Sequence, residues 1–140
     1  MPPVFLSRVL LPLLLLSFAA PALAAEPIEG RWLTEGSRAL ITIERCGKQA
    51  CGRITRILAP TPTASPTDRY NPDVKLRSRP VQGLEILSGF VENGADWRGT
   101  IYDPEHGKTY KSIVRREPGG LNVKGCIMFF CQAQHWKPAK

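Results

Sequence analysis

From Ile28 onward, apolar and polar residues alternate in short runs, and the breaks between runs hold Gly, Pro, Asn and Asp. A period of two with turn residues at the breaks is typical of antiparallel strands. The predicted strands cover residues 28–34, 39–45, 52–58, 85–91, 97–102, 109–116, 121–127 and 131–136. Eight short strands predict an all-β fold, a single small antiparallel β-barrel.

One segment, residues 59–80, breaks this rhythm and is much longer than a hairpin loop. Long loops in compact domains are usually functional or disordered. Within it, Asn71 suits a helix N-cap, Pro72 the first helical position and Asp73 the positive end of the helix dipole. The long loop is therefore predicted to carry a short helix over residues 72–78, ending before Pro80.

The amino terminus predicts export. Residues 1–8 contain one Arg, residues 9–20 form an apolar run, and Ala22 and Ala24 suit a signal peptidase. Cleavage is expected after Ala24, giving a signal peptide over residues 1–24 and one domain over residues 25–140. The apolar run contains Pro12 and falls short of the roughly 20 residues of a membrane anchor. The expected location is the periplasm or the exterior.

The mature part keeps 18 basic and 12 acidic residues, a formal charge of +6 that favours an acidic ligand or an anionic envelope surface. No later apolar stretch is long enough to span a bilayer as a helix. Nucleic acid is not an expected partner in an exported compartment. The expected partner is therefore an unidentified small molecule or another component of the cell envelope.

The four cysteines, Cys46, Cys51, Cys126 and Cys131, are an even set, which in an exported chain indicates disulfides. Four cysteines allow three pairings. Strand parity favours two local bridges on the outer face, Cys46 with Cys51 and Cys126 with Cys131. A four-Cys zinc site has the right ligand number, but oxidising conditions disfavour free thiolates.

The chain resembles a family of small exported bacterial proteins known as domain of unknown function 2147 (DUF2147). The resemblance runs in order through nearly the whole mature domain. Its residues are Cys51, Gly52, Ile54, Asp68, Asn71, Pro72, Leu76, Arg77, Arg79, Pro80, Gly83, Ile101, Tyr102, Asp103, Pro104, Gly107, Lys108, Thr109, Tyr110, Leu121, Val123, Gly125, Gln134 and Trp136. The resemblance implies a mostly antiparallel β fold in the envelope or outside the cell, and it implies no catalytic residue. Thr100 departs from it, since members often carry a second Gly after Gly99.

The sequence Gly30, Arg31, Trp32 is similar to the opening of lipocalin-like barrels. In such barrels the Trp fills the closed end and a basic residue packs over its ring. In this chain Lys137 and Arg116 are the two candidates for that basic residue. An ordinary buried Trp remains the alternative.

Groups that could carry chemistry are sparse, so no catalytic residue, metal site or cofactor is predicted. His106 and His135 lie far apart and lack the orienting partners that a general base needs. Asp103, Glu105 and His106 could hold a metal, but turn formation already explains Asp, Pro and Gly at these spacings.

The candidate ligand-binding residues are polar groups of the long segment together with two residues after the following turn. They are Asp68, Asn71, Arg77, Arg79, Lys108 and Tyr110, with Arg69 nearby. Planar Arg groups suit carboxylate or phosphate ligands, so an anionic site at the barrel mouth is one interpretation. Structural roles are the other: Asp68 as a cap, an Arg paired with an acid, and Tyr110 as strand packing.

Two function classes remain: a protein that binds a small apolar or amphipathic anionic molecule, and an envelope protein-interaction module with a packed barrel core. A cavity discriminates between them. Large inward residues would fill a barrel this small, and the candidates are Trp32, Phe90, Trp97 and Trp136.

Overall fold

The computed structural model describes residue 1 and residues 17–140. Most of the apolar run assigned to the signal peptide, with Arg8 and Pro12, lies outside the described residues. Among the helices of the described part, none combines the length and the apolar character that crossing a membrane requires.

The described residues form a closed antiparallel barrel in which each strand pairs with the next and the last pairs with the first. This confirms the predicted fold class. The strands are β1 Gly30–Leu33, β2 Ala39–Cys46, β3 Gln49–Ile57, β4 Glu85–Asn93, β5 Asp96–Asp103, β6 Lys108–Glu117, β7 Gly120–Ile127 and β8 Phe130–Pro138.

Gly99 allows β5 to lie close to the Phe90 side chain and the Ser88 backbone of β4. A Cβ atom there would lie 2.6 Å from the Phe90 ring and 2.6 Å from the Ser88 carbonyl oxygen. Thr100, where the family often has Gly, is exposed, and its hydroxyl lies 3.3 Å from the Ser88 hydroxyl. The tight approach therefore needs Gly at position 99, and Thr at position 100 is compatible with it.

The barrel is filled at one end, which we call the closed end. Trp32, Phe90 and Trp97 are each at most 2 % exposed there. Residues 25–29, the closing strap, cover this end. The indole Nε1 of Trp32 donates to the Ile28 carbonyl at 3.0 Å, and that of Trp97 donates to the Glu26 carbonyl at 2.8 Å. Both buried indole donors are thereby satisfied by the strap.

Two arginines complete the closed end. The Arg116 guanidinium carbon lies 4.7 Å from the Trp32 ring centroid, and Arg116 also donates to the Pro27 carbonyl at 3.2 Å. Of the two basic residues considered for this place, Arg116 occupies it. Arg45 stacks on Trp97 at 4.9 Å and pairs with Glu29 of the strap at 2.5 Å.

The cysteines form the two local pairs, Cys46 with Cys51 and Cys126 with Cys131. Cys126 and Cys131 are direct register partners, whereas Cys51 lies opposite Glu44 and reaches Cys46 diagonally. Cys51 is 3 % exposed even though it faces outward. The bridges therefore pin the ends of two hairpins.

The predicted helix over residues 72–78 is wrong in extent, because the loop makes only a 3₁₀ turn, Val74–Leu76. Asp73, not Asn71, caps it by accepting from the Lys75 backbone N–H. Asn71 still makes the local bond of a cap, since its Oδ1 accepts from the Asp73 backbone N–H at 2.9 Å, while its Nδ2 donates to Asp68 and Tyr102. The chain that follows it turns without forming the predicted helix.

Candidate functional site

The end of the barrel opposite the strap is open, and we call it the mouth. It lies where β1, β3, β5 and β7 finish and where β2, β4, β6 and β8 begin. Two cavities open there, with volumes of about 820 Å³ and about 660 Å³. Their walls share Ile86, Asp103 and Gln134, among others, so they are neighbouring chambers of one opening.

The mouth is hollow because its inward side chains are smaller than those of the closed end. The larger chamber is walled by Ile101, Val123 and Gly125, and by the buried ring of Trp136. A Cβ on Gly125 would first meet Ile101 at 3.7 Å, which is ordinary contact distance. Of the four large residues expected to fill the barrel, three fill its closed end, and Trp136 lies against the cavity.

Polar groups lie among the apolar walls of this chamber. Lys108 and Tyr110, two residues apart on β6, both line it, and so do Gln132 and Gln134 of β8. Gln134 accepts a hydrogen bond from the Trp136 indole at 3.0 Å. Apolar walls with a few polar groups are the usual composition of a small-molecule site.

A hydrogen bond joins two residues of the β5–β6 turn at the mouth. His106 Nδ1 lies 2.6 Å from Asp103 Oδ2, with the His106 side chain 65 % exposed. Glu105 points to the long loop instead, where it accepts from the Thr61 hydroxyl at 2.9 Å. Asp103, Glu105 and His106 thus do not converge on a metal position.

Within the part of the chain that the structure describes, three possible metal-ligating side chains come together only at Cys46, Cys51 and Glu85. The two sulfurs of this group are joined in a disulfide, so they are not the thiolates that a metal would bind.

Four residues form a hydrogen-bonded group that fastens the long loop to the barrel, which we call the Asp68 network. Asp68 is fully buried, and its carboxylate accepts from the Tyr102 hydroxyl at 2.5 Å, from Asn71 Nδ2 at 2.8 Å and from Arg79 Nε at 2.8 Å. Asn71 Nδ2 also donates to the Tyr102 oxygen at 3.1 Å. A buried carboxylate is tolerated because it is paired and hydrogen-bonded.

The Asp68 network changes the acidity of Tyr102. Burial, followed by the hydrogen bond to the Asp68 carboxylate and its negative charge, raises the pKa of Tyr102 from 10.0 to about 12. The phenol is therefore held as a proton donor across the physiological range. Its hydrogen bond to Asp68 links β5 to the long loop.

The structure divides the six predicted ligand-binding residues into two groups. Lys108 and Tyr110 line the larger chamber, whereas Asp68, Asn71 and Arg79 form the loop-fastening network. Arg77 donates from Nε to the Asn71 carbonyl at 2.8 Å.

Neither Arg77 nor Arg79 lines either chamber, so the structure gives no support for placing them at the mouth. The buried charge of Asp68 engages Arg79 instead. Arg69 stacks on Tyr70, its neighbour in sequence. Sequence reasoning missed the role of Tyr102, although it belongs to the segment Ile101 to Pro104 that carried the family resemblance.

The fold is similar to that of a solved structure from Helicobacter pylori, described as "Protein HP1028 from the human pathogen Helicobacter pylori belongs to the lipocalin family". The TM-score is 0.71 with 20 % identical residues, over 83 % of this chain and 84 % of that one. At this identity the likeness concerns the fold, a lipocalin-like barrel.

No curated protein is similar enough in sequence to count as a relative. A family model, by contrast, matches residues 30–138, which is the whole barrel from β1 to β8. Its description is "Uncharacterized protein conserved in bacteria (DUF2147)". The chain therefore belongs to the bacterial DUF2147 family.

Proposed function

We propose that this protein is exported and binds one small amphipathic molecule, with an apolar body and an anionic end, in the mouth of the barrel. The observation that carries the proposal is the larger cavity, of about 820 Å³. Sites for small ligands usually measure roughly 300–1,000 Å³, and an eight-stranded barrel has room for one such molecule.

The walls favour an apolar body. Ile86, Ile101 and Val123 present aliphatic surface, and Trp136 adds the edge or face of an aromatic ring. Burying such a body removes apolar surface from water at both partners, which stabilises the complex by roughly 25 cal/mol per Å².

The placement of charge favours an anionic end near β6. Lys108 is the only Lys or Arg among the described residues that line the larger chamber, and the Tyr110 phenol lies two residues away on the same strand. Asp103, an acid of the same wall, already pairs with His106, while Glu35 lies across the chamber on the β1–β2 connection. A carboxylate or phosphate held by Lys108 and Tyr110 would thus complement this side of the mouth.

The alternative, an interaction module, requires a packed barrel without a cavity. The closed end fits that description, but the mouth does not. The burial of the amino-terminal residues supports export. Residues 17–24 are all exposed, and Ala25, the first residue after the expected cleavage site, is the first buried residue in the described part of the chain.

Native mass spectrometry of protein purified from the periplasm of its own host tests the proposal. The expected result is a mass above that of residues 25–140 with two disulfides, lost on denaturation. A spectrum with only the bare mature protein, together with no change in the tryptophan fluorescence of the protein across a panel of fatty carboxylates and phosphates, would contradict ligand binding.

A cavity-filling variant locates the site. Gly125→Leu adds a side chain at the chamber wall, where a Cβ meets no atom closer than 3.7 Å. Ligand binding is expected to fall at least about tenfold while the fold is retained. Asn122→Leu, on the outer face of the same strand, is the matched control and is expected to bind normally. Equal binding by both variants would move the site away from the mouth.

A further inference from the structure

The hairpin between β7 and β8 ends in four large apolar residues that project into solvent. We call them the apolar tip: Ile127, Met128, Phe129 and Phe130, with exposures of 58 %, 87 %, 93 % and 84 %. Single exposed apolar residues are common on soluble domains, but four in succession are a patch. Such patches mark interaction sites for proteins, ligands or membranes.

The apolar tip is closed by a disulfide and contains one residue in a strained backbone conformation. The Cys126–Cys131 disulfide closes the hairpin directly beneath it. Met128 adopts a positive φ of 53°, a conformation that Gly or Asn would adopt more easily in a tight turn. Turn geometry alone therefore does not explain the choice of Met.

Lysines lie near the apolar tip on β6 and β7. Lys111 lies opposite Cys126, Lys124 lies opposite Ala133, and Lys108 begins β6 at the same end of the barrel, opposite Asp103 of β5. Over residues 108–112 and 122–134 the chain contains these three lysines and no Asp or Glu. Apolar side chains beside Lys are the combination that binds anionic membrane surfaces.

We propose that the apolar tip inserts into the surface of an anionic phospholipid bilayer, with Lys108, Lys111 and Lys124 against the lipid phosphates. Ile127 and Phe130 also line the larger chamber. Docking through the tip therefore brings the mouth of the barrel to the bilayer. This inference goes beyond ligand binding and does not depend on it.

A second copy of the chain fits the apolar tip less well. A stable protein interface buries roughly 800 Å² on each partner, more than one hairpin end presents. In a symmetric dimer the lysines of the two copies would also face each other and repel. A bilayer needs only a few inserted side chains and supplies the opposite charge.

The test uses the mature, disulfide-bonded protein and vesicles of phosphatidylcholine, with or without phosphatidylglycerol, in a sedimentation assay. Binding is expected only to the anionic vesicles. The double variant Met128→Ser with Phe129→Ser is expected to lose at least about 30-fold in partition, since each buried apolar side chain contributes about tenfold. The control, Val74→Ser with Leu76→Ser, removes exposed apolar residues of the long loop and is expected to bind normally.

A second variant tests the charges. Lys111→Gln with Lys124→Gln is expected to weaken binding by about tenfold and to reduce its salt dependence, because each Lys near an anionic surface attracts the lipid phosphates and salt screens this attraction. In the otherwise wild-type protein, Phe129→Trp is expected to shift its emission to the blue with anionic vesicles.

Several outcomes would overturn the proposal. The first is that wild-type protein does not bind anionic vesicles. The second is that the Met128→Ser, Phe129→Ser variant binds them as well as wild type does. The third is that this variant changes from dimer to monomer while its vesicle partition stays the same. Gly125→Leu separates the two proposals, since it blocks the chamber and leaves the apolar tip intact. It is expected to lose ligand and keep vesicle binding.

Discussion

Replacing Tyr102 by Phe tests whether the Asp68 network holds the long loop. The substitution keeps the ring but removes the hydroxyl that donates to Asp68 at 2.5 Å and accepts from Asn71 at 3.1 Å. Asp68 is fully buried, so water does not readily replace the lost donor. A hydrogen bond to a buried charged group contributes about 1.5–3 kcal/mol.

The raised pKa of Tyr102, from 10.0 to about 12 and mainly through burial, makes the phenol harder to ionise in the fold than in the unfolded chain. At neutral pH the phenol is protonated in both states, so the loss of the hydrogen bond to the buried carboxylate sets the magnitude. We therefore expect Tyr102→Phe to lower the free energy of unfolding at neutral pH by about 2 kcal/mol. For a domain of this size, that lowers Tm by about 8 °C.

The pH dependence supplies an independent measurement. The unfolded phenol loses its proton near pH 10, whereas the folded one keeps it until about pH 12. The unfolded state then binds fewer protons, so stability falls as the pH rises through this window. In urea titrations at several pH values, the difference between wild type and Tyr102→Phe should shrink from pH 10 to pH 12.

Tyr70→Phe is the matched control, because Tyr70 is 43 % exposed and lies outside the Asp68 network. It is expected to change Tm by no more than about 2 °C. The reasoning fails if Tyr102→Phe is as stable as wild type at neutral pH, or if its difference from wild type persists unchanged at pH 12.

Three further predictions concern other contacts. In thermal melts, Gly107→Ala should lower Tm clearly more than Gly94→Ala. Both positions have φ near +62°, but only at Gly107 would a Cβ collide with a backbone atom, the carbonyl oxygen of Tyr70. Equal losses of stability in the two variants would show that this collision has no cost. Ser112→Ala should be neutral or stabilise by up to about 1 kcal/mol in urea titrations, because the buried Ser112 hydroxyl has no hydrogen-bond partner among the described residues, and a clear loss of stability would reveal one. Amino-terminal sequencing of exported protein should begin at Ala25, and finding Met1 would reject the signal peptide.

The barrel could be predicted from sequence because each strand shows its two faces in alternating residues. Ile41, Ile43 and Ile54 lie on one face of their strands, and the structure buries all three. The disulfide pairs followed from the same parity. These are local properties, readable from residues close together in the chain.

The network and the helix could not be predicted in the same way. The Asp68 carboxylate meets Tyr102 across a separation of 34 residues, and alternation along β5 does not reveal which loop will reach it. Local capping rules assigned Asn71 to a helix, and its Oδ1 does accept from the Asp73 N–H, but these rules do not reveal that its Nδ2 donates to Tyr102, 31 residues away. Long-range polar contacts of this kind depend on the closed barrel, which brings the loop and the strand together.

The filled closed end has a consequence for how the family can diversify. The strap, the stacked arginines and the tryptophans Trp32 and Trp97 hold the barrel together at one end, so inward residues outside the Asp68 network are needed less for the fold at the other end. The chamber residues that carry the family resemblance, such as Lys108, Tyr110 and Gly125, are then shared for a reason other than stability. Within DUF2147 we therefore expect the chamber to take one class of ligand, and diversity to lie in residues that neither line it nor belong to the Asp68 network.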